Sequence, residues 1–149
     1  MKPTRSHPVT VSRYMTRAPH TIGADQPLAV AHELMRQHHL RHLPVLAHGG
    51  LVGILSLGDL HLVETLRDVQ PGNTTVEEAM SAEPYVVSPE APLGEVLRIM
   101  ETRKLGSTVV VEDRRVVGIF TTHDALRALR ALLAETAALP PQRSAPGKH

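Results

Sequence analysis

The stretches Leu51–His61, LVGILSLGDLH, and Val116–Leu126, VVGIFTTHDAL, decide the fold, because they write one phrase twice. Each holds two apolar residues, Gly-Ile, another apolar residue, a hydroxyl residue, two variable positions and an Asp. A shift of 65 residues carries Gly53 onto Gly118 and Asp59 onto Asp124. Working outward, the register holds without a gap from Thr10–His61 onto Thr75–Leu126, with 13 of 52 positions identical. The matches include Met15/Met80, Pro19/Pro84, Pro27/Pro92 and Gly53/Gly118. Shared prolines and glycines weigh more than shared leucines, because each fixes or frees the backbone at a set place. The chain is one unit written twice.

Each unit reads alike. His20–Ile22 (HTI) and Tyr85–Val87 (YVV) are short apolar strands. A helix follows, opened by Pro27 or Pro92 in its first turn, where a missing N–H costs nothing. Leu28, Ala31, Leu34, Met35 and His38 fall on one side of the first helix, and Leu93, Val96, Leu97, Met100 and Lys104 on one side of the second. PVLA and LVGIL, joined by HGG, then TVVV and VVGIF, joined by EDRR, read as hairpins. A last helix is expected to start at each Asp, over 59–69 and 124–139. The order β-α-β-β-α, twice, predicts an α/β fold of two pseudo-symmetric repeats packed through their sheets. The expected boundaries are an extension over 1–9, repeats over 10–69 and 75–135, a linker over 70–74 with turn residues Pro71-Gly72-Asn73, and a disordered Pro-rich tail over 136–149.

Composition narrows the class. The net charge of +1 argues against a nucleic-acid partner, and no run approaches the roughly 18 apolar residues of a membrane helix. With no Cys there is no disulfide and no thiolate chemistry, and no apolar leader opens the chain, so a cytoplasmic location is expected. Aromatics are limited to Tyr14, Tyr85 and Phe120, so the core must be aliphatic.

The phrases LRHLPVL with LVGILSLGD, LGSTVVV with VVGIFTTHD, and the entries MTRAP and MSAEP, together resemble a tandem pair of cystathionine-β-synthase-type (CBS) domains, a Bateman module. The likeness spans about residues 10 to 135 and departs from the usual pattern at Thr108-Val109, where the first repeat has Leu43-Pro44. It implies an adenosine-containing ligand, AMP, ADP or ATP, or alternatively S-adenosylmethionine or NAD, held between the repeats, with no further cofactor required. It also implies a homodimer and a separate regulated protein.

SLGD and TTHD place a hydroxyl three residues before an Asp at a helix start. Free N–H groups there suit phosphate, and an ionised Asp accepts from a ribose diol. The plainer role, a helix cap, is compatible with this. The resemblance implies sites that cross the pair: carried over by position, one takes Thr121, Asp124 and Ile119 with Met15, Ala18, His20, Leu40, Arg41 and His42. The other, weaker site takes Ser56, Asp59 and Ile54 with Met80, Glu83, Tyr85, Leu105 and Gly106. Arg41 favours the first for phosphate, whereas Glu83 repels an anion at the second. His20 and His123 flank the first and would make binding pH-sensitive. His38 and His42 have the i, i+4 spacing of metal ligands, but Pro44 argues that the helix ends before His42, so no metal site is expected.

The amphipathic segment Ala125–Leu139 has Leu126, Leu129, Leu133 and Ala137 on its apolar side, to cover the domain or to meet a second protomer. No nucleophile, metal or phosphate-loop motif of an enzyme occurs, so a non-catalytic regulatory module is expected. The alternative is a structural dimer with degenerate, empty sites.

Overall fold

The computed structural model describes residues 8–66 and 72–138. The linker up to Pro71 and the tail beyond 138 lie outside the described residues.

The first repeat runs α1 (Val11–Tyr14), β1 (Thr16–Arg17), β2 (Ile22–Gly23), α2 (Leu28–His38), β3 (His42–Ala47), β4 (Gly50–Ser56) and α3 (Leu57–Glu64). The second runs α4 (Val76–Ala79), β5 (Val86–Val87), α5 (Leu93–Arg103), β6 (Ser107–Glu112), β7 (Arg115–Thr121) and α6 (Thr122–Ala138). The β-α-β-β-α order is present twice, preceded by a short helix in each repeat and, in the first, also by the two-residue strand β1, none of which the sequence reading includes.

Local chemistry sets these elements. Pro27 and Pro92 stand one residue before α2 and α5, and both helices close on a left-handed residue, His39 or Lys104. The hairpins turn on His48-Gly49 and Asp113-Arg114, all four with positive φ, the backbone twist that tight antiparallel connections require. The last helices begin two residues before the expected start. Ser56 is the cap of α3, and Asp59 sits in its first turn, completing a reciprocal capping box.

β2 joins β3 and β5 joins β6 in parallel, and β3 joins β4 and β6 joins β7 antiparallel, with Val45 opposite Gly53 and Val110 opposite Gly118. Two aliphatic cores result. Leu28, Ala31 and Met35 of α2 and Leu60 of α3 pack on Leu43, Val45 and Leu55. Leu93, Val96 and Met100 of α5 and Ala128 of α6 pack on Val110 and Phe120.

The repeats exchange their entry segments. Val11 and Met15, from the first repeat, lie in the second core, and Val76 and Met80, from the second, lie in the first. β1 adds antiparallel to β7, Thr16 opposite Ile119, and Ser81 pairs with Ile54 by two backbone hydrogen bonds of 2.9 and 3.0 Å. The repeated Gly-Ile now has a cause. The Ile backbone receives the other repeat's entry strand, and the Gly lets a methionine lie on the hairpin. A Cβ at Gly53 would come 2.5 Å from the Met80 sulfur, and one at Gly118 would collide with the Met15 sulfur.

Of the two roles expected for the apolar side of α6, covering the domain is not the one it takes. Leu126, Leu129 and Leu133 are exposed, at 63%, 54% and 60%, and Ala137 is exposed too, while Ala128 is buried. The helix lies against α1 and β7, with Ala125 and Ala128 packed on the second core. Likewise, His38, Leu97 and Lys104 are exposed rather than packed on the core face.

Candidate functional site

The exchange brings the end of β7, the start of α6, the segment after β1 and the start of β3 around one cleft of about 520 Å³. Of the residues expected at the first site, Ile119, Thr121, Asp124, Ala18, His20, Leu40, Arg41 and His42 line it. Met15 does not. It is buried, with its sulfur against Gly118. Thr16, Arg17, Pro19, His39 and Thr122 also line the cleft but were not singled out in the sequence, and His123, expected to flank the site, is part of the lining. Proximity along the chain to Ala18, His20 and Arg41 was the signal for most of them.

Asp124 is 2% exposed and accepts from four donors. Oδ1 takes the Thr16 hydroxyl at 2.9 Å and the Arg127 guanidinium at 2.8 Å. Oδ2 takes the Thr121 N–H at 2.9 Å and the Thr121 hydroxyl at 3.2 Å. Thr121 Oγ1 accepts in turn from the Asp124 N–H at 3.3 Å. This carboxylate therefore caps α6, ties β1 to it, and has its charge balanced by Arg127.

The rest of the cleft is basic. Asp124 is the sole acidic residue of its lining, against Arg17, Arg41 and the imidazoles of His20, His39, His42 and His123. Arg41 forms no ion pair among the described residues. His20 stacks on His38, with centroids 4.0 Å apart and planes 20° apart. Since α2 ends at His38 and His42 begins β3, these two do not share a helix. Among the described residues no group of three or more His, Cys, Asp or Glu is arranged to hold a metal ion.

The residues expected at the second site are placed differently. Ser56 and Asp59 form the capping box of α3, with the Asp59 N–H donating to Ser56 Oγ at 3.0 Å and the Ser56 N–H to Asp59 Oδ2 at 3.2 Å. The Ile54 backbone is taken by Ser81, and Met80 lies over Gly53. Tyr85 and Leu105 are half-buried against the second core, the Tyr85 ring under the Arg103 guanidinium, while Glu83 is exposed. Gly106 lies beneath the His42 ring. Burial pushes the His42 pKa below its ordinary value, an effect that Asp59 opposes and Arg41 adds to.

No helix among the described residues is long and apolar enough to cross a membrane. The family model described as CBS domain matches residues 11–63 and 76–131. The CBS domain-containing protein YhcV of Bacillus subtilis is 30% identical over 115 residues, 77% of this chain and 81% of that protein. The solved CBS domain pair of protein MJ0100, in complex with 5'-methylthioadenosine and S-adenosyl-L-methionine, is similar with a TM-score of 0.74 and 26% identity, over 84% of this chain and 98% of that one. The solved CBSX2 in complex with AMP is similar with a TM-score of 0.73 and 26% identity, over 83% of this chain and 98% of that one. Against several longer curated relatives, the chain spans only 21% to 25% of their length.

Proposed function

The chain belongs to the CBS domain family, as a tandem pair, and we propose that it is a regulatory module that binds an adenosine-containing nucleotide in the cleft between its repeats. The observation that carries this reading is the charge of that cleft: Arg17 and Arg41, the latter without a carboxylate partner among the described residues, against one carboxylate already neutralised by Arg127. Such a lining favours a phosphate-bearing ligand over a neutral one. The two similar structures solved with AMP and with S-adenosylmethionine and methylthioadenosine support the adenosine part. The module acts on a separate partner without catalysing a reaction itself, and it works in the cytoplasm as a homodimer. Ligand changes what the partner meets only through unequal affinity for two arrangements of the module.

Asp124 gives weight to a second reading. With both oxygens engaged, its carboxylate accepts a ribose diol only by releasing the Thr16 hydroxyl or the Arg127 guanidinium. A structural dimer with an empty cleft would leave those bonds in place. Calorimetric titration with AMP, ADP, ATP, S-adenosylmethionine and NAD separates the two readings. Binding that weakens by roughly tenfold or more in Arg41→Ala, the loss of a charge-assisted hydrogen bond, is the expected result. Silence with all five ligands selects the empty dimer.

A further inference from the structure

The 65-residue register gives the first cleft a counterpart site, with Ser56 for Thr121, Asp59 for Asp124, Gly106 for Arg41 and Ser107 for His42. At the first cleft the Arg41 side chain lines the wall. At the counterpart, the space that a side chain on residue 106 would enter is already filled. A Cβ on Gly106 would stand 2.9 Å from His42 Nε2 and 3.3 Å from His42 Cε1. One imidazole thus takes part in both places: it lines the first cleft, and it lies on the backbone of the counterpart site near Asp59. Ser107, its own counterpart, is too short to crowd Arg41 in the same way.

The ring's chemistry fits a block rather than a ligand contact at the counterpart. Burial disfavours its charged form, whereas the first cleft offers a phosphate the guanidinium of Arg41. The first cleft, which the ring borders, is open space into which it can move from Gly106. A ligand seated there holds it in place. We propose that His42 makes the two sites mutually exclusive, so that the chain binds one anionic nucleotide and not two. The inference rests on the nucleotide-binding reading above and adds to it the residue that sets the stoichiometry.

The test is calorimetric titration of wild type, His42→Ser and Gly106→Ala with AMP and with ATP, each variant first checked by circular dichroism. Wild type is expected to take one ligand per chain. His42→Ser, which installs the residue found at position 107, is expected to take two. Gly106→Ala, whose new methyl pushes the ring toward the first cleft, is expected to weaken binding roughly tenfold in wild type and not in the His42→Ser background. Two ligands per wild-type chain, or a folded His42→Ser that still takes one, overturns the proposal and leaves the nucleotide-binding reading standing. Absence of binding in wild type and in both variants overturns both. Should His42→Ser fail to fold, Gly106→Ala decides: unchanged affinity means the ring does not move between the sites.

Discussion

Thr108 carries a hydroxyl where its counterpart in the first repeat, Leu43, carries only carbon. Both are fully buried, and Thr108 Oγ1 has no hydrogen-bond partner among the described residues. A buried hydroxyl without a partner costs about 1–3 kcal/mol. Thr108→Val, of nearly the same shape, is therefore expected to raise the melting temperature by about 3 °C; a lower value would show that the hydroxyl is satisfied. His42 makes the opposite case, a polar group whose burial works against its charged form. Its pKa is lower folded than unfolded, so the unfolded chain takes up the proton first. The stabilisation is complete above about pH 6.5 and is lost as pH falls through the unfolded value toward the folded one. Asp59, facing the ring, moderates the loss, and Arg41 increases it. Urea titrations between pH 7.5 and 5 should show stability falling with pH more steeply in wild type than in His42→Ser. Equal slopes would assign the titration to other histidines.

At the scale of elements, the last helix of each repeat shows what the sequence disclosed and what it did not. That a helix follows the hydroxyl-x-x-Asp phrase was legible, but its first residue was not. The pattern reads equally as Asp capping the helix or as Ser or Thr capping it with Asp in the first turn, and the geometry at Ser56 and Asp59 selects the second. The leucine stripe of α6 was also legible, but not its direction. Periodicity marks an apolar face without saying whether the core or another molecule covers it. Here Ala128 meets the core, and Leu126, Leu129 and Leu133 stay exposed, as do Leu62 on α3 and Leu66 just beyond it. Two exposed leucine-bearing helices per chain fit a self-association surface, which is the homodimer of the proposed function. Light scattering should give the mass of two chains for wild type and of one for Leu129→Glu. A monomeric wild type would assign the stripe to a different partner.

At the scale of the whole molecule, the gapless 65-residue register gave the two-fold repetition, since matched glycines and prolines demand matched backbone. The residues around the cleft were partly legible through the family resemblance, which sets the hydroxyl-x-x-Asp phrase of one repeat, with Asp124, against the entry and second strand of the other, with Arg41. The hydrogen bond from Thr16 to Asp124 and the contact of His42 with Gly106 were not. Both join residues far apart in sequence across the repeats, and nothing in either local pattern records which side chain reaches over.

The exchanged entry segments have a consequence for how the molecule comes apart. With Val11 and Met15 in one core and Val76 and Met80 in the other, either core loses part of its filling when its neighbour melts. The repeats are then not two beads on a string but a single thermodynamic unit. Differential scanning calorimetry should record one endotherm, its calorimetric and van't Hoff enthalpies equal. Two resolved peaks would mean that each half keeps its integrity without the segment it borrows.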